Sequence, residues 1–256
     1  MKRPLTLVIA SAALLAALGA ATPASGSPAP RDPAGPLAGV VIALDPGHQL
    51  GNSNPRFASK MAKTRFNGYI TKGCNTTGTA TNGGYAESTF TWRVSRYLER
   101  RLRALGATVH KTRSSNSYDA WGPCVWNRGK FGTKVDADLL LSIHADGAVS
   151  GGYGFFVMLP ATIPGWTDDI AGRSGRMGKR FIEGMAGAGA PRSNYISGQT
   201  LVTREISTLN FSDVPAILVE LGNMRNSSDA ARMTSRTGQK QYADWLVAGV
   251  RAALQR

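Results

Sequence analysis

The sequence predicts a single α/β domain with a mostly parallel central sheet flanked by helices. Three observations point to this class. Short β-branched apolar runs of strand length recur along the chain. Between the first run and the next lies a segment with apolar residues at helical spacing, the alternation expected of βαβ units. The ionisable residues fall just past the carboxyl ends of the runs, where open α/β sheets build their sites.

Taken in order, Val40-Val41-Ile42-Ala43-Leu44 is the first run, and it stops at the turn Asp45-Pro46-Gly47-His48. Residues 49–86 are polar and rich in Asn, Gly, Thr and Lys. This stretch is too long for a routine connection and reads as a structured, functional insertion. From Glu87 the apolar residues Phe90, Val94, Tyr97, Leu98, Leu102 and Leu105 share one helical face, and Gly106 ends the helix. Glu87 therefore belongs to its first turn. Thr108–Thr112 is a short strand, Leu139–Ile143 a fully apolar one ending at His144, and Phe155–Met158 another. Ala216–Val219 is the last core strand and ends at Glu220, and Gln239–Leu254 is helical with Tyr242, Trp245, Leu246, Val250 and Leu254 facing inward.

The composition, 42% hydrophobic and 18% charged over 256 residues, supplies enough apolar material for a core and excludes a disordered chain. The N-terminus starts Met1-Lys2-Arg3-Pro4, continues apolar through Leu18 and ends in small residues to Ser27. This is the pattern of a secretory signal, assigned to residues 1–26, followed by a Pro/Ala-rich leader over 27–37 and one folded domain over 38–256. An uncleaved anchor helix is the alternative, which the small-residue segment disfavours. It is the only long uncharged apolar run, so a multi-pass membrane protein is excluded, and no integral membrane association is expected once it is removed. The expected location is secreted, in the periplasm or cell-wall space.

Thirty Lys and Arg against 16 Asp and Glu give a formal charge of +14. Arg93, Arg96, Arg100, Arg101 and Arg103 are scattered along one helix rather than gathered into the basic run interleaved with aromatics that a single-strand binder needs. Nucleic acid is therefore not expected as a partner, and an anionic envelope polymer is the more natural one. In an oxidising compartment the even pair Cys74 and Cys124 makes a disulfide the default reading over metal ligation or two free thiols.

The chain has three histidines, His48, His110 and His144. Two of them follow strand ends, so their imidazoles and the helix-opening carboxylate of Glu87 can converge on one metal. Two His and one Glu with an open fourth position form a known catalytic zinc set. Glu220 supplies the second carboxylate needed for proton transfer. His110 lies mid-strand beside Lys111 with no acidic companion and reads as structural.

Four segments, in order, carry a specific resemblance: Val41–His48, Glu87 opening a helix, Ala137–Asp146, and Pro215–Asn226. They resemble the motifs of zinc-dependent N-acetylmuramoyl-L-alanine amidases of the Amidase_3 type, over residues 38–254. The similarity is greatest to the secreted actinobacterial branch, mycobacterial peptidoglycan amidases included. The resemblance implies Zn²⁺ held by His48, Glu87 and His144, with Glu220 as the catalytic glutamate. The implied substrate is peptidoglycan or its muropeptide fragments, cut between N-acetylmuramic acid and L-alanine by a monomeric enzyme. It places Arg113 and Arg128 where the family commonly has arginines, serving in substrate contact or in packing and ion pairing. Two departures stand out: Asp146 where many members have Asn, and a long gap between His48 and Glu87. The insertion 51–86 and the segment 160–199 are both candidates to border the site. A non-catalytic peptidoglycan-binding or activator protein, and a zinc peptidase acting within the stem peptide, are the alternative functions.

Overall fold

The computed structural model describes Met1 and residues 35–255. The predicted signal peptide beyond Met1, and the leader before Gly35, lie outside the described residues. The elements run β1 (Val41–Pro46), α1 (Ala58–Met61), β2 (Thr64–Phe66), β3 (Thr71–Gly73), α2 (Glu87–Ala104), β4 (Thr108–Lys111), α3 (Val125–Gly129), α4 (Phe131–Lys134), β5 (Leu139–Asp146), β6 (Phe156–Pro160), α5 (Ala171–Gly187), β7 (Thr200–Thr203), α6 (Ser207–Asn210), β8 (Ala216–Asn223), α7 (Ser227–Thr234) and α8 (Arg236–Leu254). Among the described residues no helix is long and apolar enough to cross a membrane.

One sheet of six strands, ordered β4-β1-β5-β8-β6-β7, carries the fold. Every pairing in it is parallel except β6 with β8. The architecture is therefore the mostly parallel α/β sheet flanked by helices that the alternation of runs predicts. β2 and β3 form a separate antiparallel hairpin inside the insertion.

Side-chain alternation along the central strands decides where the site can be. Ile42, Leu44, Leu139, Leu141, Ile143, Ile217, Val219 and Leu221 point to one face and pack with Phe90, Val94 and Leu98 of α2, Phe181 of α5 and Tyr242 and Leu246 of α8. The intervening residues point the other way. Near the strand starts these are apolar, Ala43, Leu140, Ala216 and Leu218, covered by Leu209 of α6. Toward the carboxyl ends the same face carries Asp45, Ser142, His144 and Glu220. The sequence shows these strands as continuous apolar runs because both faces are covered, and only their last residues reveal which face bears chemistry.

The insertion is held by one covalent tie, the Cys74–Cys124 disulfide across 50 residues of sequence. It packs with Trp126 and Phe211 at the junction of β3 and α3. Reducing the bond, or replacing both cysteines by serine, should lower unfolding stability by about 4 kcal/mol in the chain-entropy account of a loop this long. Urea unfolding with and without reductant measures the loss. An unchanged midpoint would show that the insertion is ordered without the tie.

Candidate metal centre

Three elements bring the predicted ligands together. His48 closes the turn after β1, Glu87 is the first residue of α2, and His144 lies near the end of β5. One donor atom from each falls within 4.8 Å of the other two. The Glu87 Oε1 atom is the hub, 3.2 Å from His48 Nε2 and 3.0 Å from His144 Nδ1. The imidazole rings meet edge to face with centroids 4.9 Å apart.

Local backbone chemistry fixes each donor. His48 adopts a left-handed conformation, φ 57°, which turns its ring back over the strand ends. Its Nδ1 lies 3.0 Å from the Thr76 carbonyl, an oxygen that can only accept, so Nδ1 carries a proton whether the ring is neutral or charged, and Nε2 is the atom free to bind a metal once it gives up its own proton. The Asn52 side chain donates to that same carbonyl at 2.8 Å. The carboxylate of Glu87 accepts from the backbone N–H groups of Thr79 at 2.9 Å and Ala145 at 3.1 Å. Two glycines make the approach sterically possible. A Cβ on Gly47 would lie 2.4 Å from the His144 ring, and one on Gly78 would lie 2.7 Å from Glu87 Oε2 and 2.8 Å from the His48 ring.

The electrostatics match this geometry. Burial alone would raise the Glu87 carboxyl, but the charge of His48 and hydrogen bonds from both imidazoles outweigh it and hold the group well below the usual carboxylate range. Burial likewise works to lower His48, and Glu87 reverses it, so the imidazole is raised. Glu220 behaves oppositely. Its burial, reinforced by the like charges of Glu87 and Asp146, pushes its carboxyl well above the ordinary value. One of its oxygens, Oε2, is buried without a hydrogen-bond partner. β5 and β8 set His144 and Glu220 directly opposite each other in register.

Arg113 and Arg128 are both buried, and they grip the backbone of the turn that carries His48. Arg113 donates to the carbonyls of Pro46, Gly47 and Ser88, and burial beside the Arg128 guanidinium lowers it to about 9. Arg128 donates to the carbonyls of Pro46 and His48 and pairs with Asp45 at 2.6 Å. Asp45 also accepts from Thr112 and Ser142. Sequence reading passed over this buried aspartate, although an acid closing an apolar strand is the signal by which Glu220 was found. Asp146 accepts from the Tyr195 hydroxyl at 3.0 Å. Burial first, then Asp146, raises the Tyr195 phenol. His110 lies exposed on the edge strand β4 and lines no part of the cleft.

A cavity of about 440 Å³ opens over the centre. His48, Glu87, His144, Asp146, Arg128 and Glu220 line it, together with Lys72 to Thr79 of the insertion and Glu205 to Thr208 before and within α6. Of the two segments expected to border the site, 51–86 supplies lining residues, whereas 160–199 reaches it only through the contact of Tyr195 with Asp146. Lys72 and Glu205 form an ion pair of 3.6 Å between the β2–β3 hairpin and the α6 approach, a pair with no sequence signal because 133 residues separate its members.

Residues 42–252 match the N-acetylmuramoyl-L-alanine amidase family. The chain is 38% identical over 232 residues to an N-acetylmuramoyl-L-alanine amidase of Mycobacterium tuberculosis, a match covering 90% of this chain and 92% of that one. Among solved structures, the N-acetylmuramyl-L-alanine amidase of Mycobacterium smegmatis superposes with a TM-score of 0.78 at 34% identity, covering 85% of this chain and 98% of that one. That of Mycobacterium abscessus gives 0.78 at 35% identity, with 85% and 100% coverage. With its sheet and nearly its whole described length accounted for by these matches, the chain belongs to the Amidase_3 family of N-acetylmuramoyl-L-alanine amidases.

Proposed function

We propose that the protein is an exported, zinc-dependent hydrolase that cuts the amide between N-acetylmuramic acid and L-alanine in peptidoglycan. The observation that carries this reading is the convergence of two imidazoles and a carboxylate beside a second carboxylate, that of half-buried Glu220, whose Oε2 is buried and unpartnered. The donor set fits zinc: imidazole and carboxylate are suitable ligands, and three protein donors leave a fourth position for water or substrate. His48, Glu87 and His144 would hold the ion. When bound, zinc supplies Lewis acidity toward the amide carbonyl and makes a water acidic enough to attack near neutral pH.

The remaining chemistry falls to this chain's own residues. Glu220 takes the proton of the attacking water and returns it to the departing amine of L-alanine, a transfer suited to a carboxyl whose affinity for protons is raised by burial. No covalent intermediate is needed. Thr76, Asn52 and the backbone at Thr79 and Ala145 hold the donors still. Arg113 and Arg128 act as braces of the His48 turn, which accounts for their burial better than substrate contact does. The N-terminal signal pattern and the disulfide support export, because such bonds persist in oxidising compartments.

Metal quantification combined with mass spectrometry of digested muropeptides tests the proposal. The expected result is about one zinc per chain, as a single three-ligand site predicts, and release of stem peptides with free L-alanine amino termini. Chelation should stop the reaction and zinc restore it. Cleavage within the stem peptide would make the protein a peptidase, and intact muropeptides from zinc-loaded protein would make it a binding or activator protein.

A further inference from the structure

On the face of the sheet covered by α2, α5 and α8, a second cavity of about 300 Å³ lies between α2 and the first turn of α8 and shares no lining residue with the cavity over the candidate metal centre. Arg93, Arg96, Tyr97, Arg236 and Gln239 line it, so three guanidiniums border one cavity without any carboxylate. The other cations on these helices are handled differently. Arg101 pairs with Asp244 at 2.5 Å, and Arg103 with Glu99 at 3.0 Å. Glu99 also binds Lys111. Apart from Glu87 at the metal centre, those are the only acids on α2 and α8, and both are engaged. Arg93, Arg96 and Arg236 have no ion-pair partner among the described residues.

Crowding like charges on neighbouring helical turns is unfavourable unless something answers them. The row also continues past the cavity. Arg100 stands over the face of Tyr97 at 4.9 Å, and Lys240 approaches the same ring at 6.0 Å. From Arg93 to Arg100 the exposed cations follow one another along α2 for about 10 Å. Nineteen-residue α8 adds the positive end of its dipole, since Arg236 is its first residue. We infer that this cleft is a binding site for a soluble polyanion whose charges are phosphodiesters. Planar guanidinium forks match phosphate oxygens, three of them around one cavity can answer a phosphate together, and the row beyond it takes the next charges of a repeating chain. A membrane surface fits less well, because the site is concave and none of the large exposed apolar side chains among the described residues belongs to α2 or α8.

The test measures binding of a fluorescent poly(glycerol phosphate) to the purified protein and to two triple variants that each remove three cations. Arg93→Gln/Arg96→Gln/Arg236→Gln empties the proposed site. Arg176→Gln/Lys179→Gln/Arg180→Gln removes as much charge from a second basic cleft, between α5 and the end of α8. Several lost phosphate contacts should weaken the first variant by about tenfold or more and flatten its salt dependence, while the second stays within about threefold. Both should keep the parent's thermal midpoint, so the result is independent of the hydrolytic reading. Equal weakening in both variants would overturn the inference in favour of diffuse charge. Binding of polyglutamate as tight as that of the phosphodiester polymer would overturn the ligand class. Capture by phosphatidylglycerol vesicles without binding of the soluble polymer would overturn its source.

Discussion

Glu220→Gln is expected to lower muropeptide turnover by about 10²- to 10⁴-fold, the range of a lost general acid–base group, while the zinc content stays that of the parent. The amide keeps the volume of the carboxyl and sits on β8 opposite His144, so fold and ligand geometry have no reason to move. What disappears is the ability to hold and release a proton. The split between metal content and rate is the informative readout. Loss of zinc along with activity would mean that Glu220 supports the ligands rather than the reaction, and full activity would remove it from the mechanism. Because burial and the neighbouring Glu87 and Asp146 raise the Glu220 carboxyl, the acidic limb of the parent's pH profile should lie above that of an ordinary glutamate. The variant's residual rate should lack that limb.

Asp45→Ala is expected to cost about 3–5 kcal/mol of stability, the penalty for leaving one partner of a buried ion pair uncompensated. Both members are buried, Asp45 fully and Arg128 to 2% exposure, and the guanidinium would keep only carbonyl partners. Urea unfolding measures the loss, and a change below about 1 kcal/mol would mean that water reaches the site. A double replacement by apolar residues, Asp45→Leu with Arg128→Met, should recover part of it. The same pair predicts acid sensitivity. Burial raises Asp45, but Arg128 and the Thr112 hydroxyl overcome it and leave the group depressed. A depressed carboxyl stabilises the fold above its unfolded pKa of about 3.9 and loses that contribution as the pH falls through its lower folded value. The parent should therefore lose stability below about pH 4 more steeply than Asp45→Ala.

The strands and the placement of ionisable residues at their ends were legible in the sequence because each is a local pattern: an apolar run, then one ionisable residue. Glu87 was legible because the helix it opens has an unbroken apolar stripe. Helix α5 was not. Glycines at 172, 175, 178, 184 and 187 lower its helix propensity, and at two of them the reason is tertiary. A Cβ on Gly184 would lie 2.6 Å from the Ala248 carbonyl oxygen of α8, and one on Gly178 would meet Leu159. The spacing of Phe181, Ile182 and Met185 is helical, but the glycines that close packing demands speak against a helix. Order in the insertion was hidden for another reason. It rests on single amide side chains bonded to distant backbone, such as Asn54 to Tyr118 and Asn67 to Glu205, and such contacts have no period. The antiparallel entry of β6 follows from where its connections run, which the apolar run itself does not encode.

The register of β8 against β5 also guards the fold against its own errors. A strand slipped by one residue would turn Glu220 onto the face occupied by Val157, Phe181 and Leu246 and present Val219 to the donors instead. An unpaired carboxyl among those side chains would cost several kcal/mol, whereas a wholly apolar strand could slide with little penalty. The residue proposed to move the proton is thus also the residue that makes a mispaired sheet recognisably wrong, so a chain assembled out of register is both inactive and unstable.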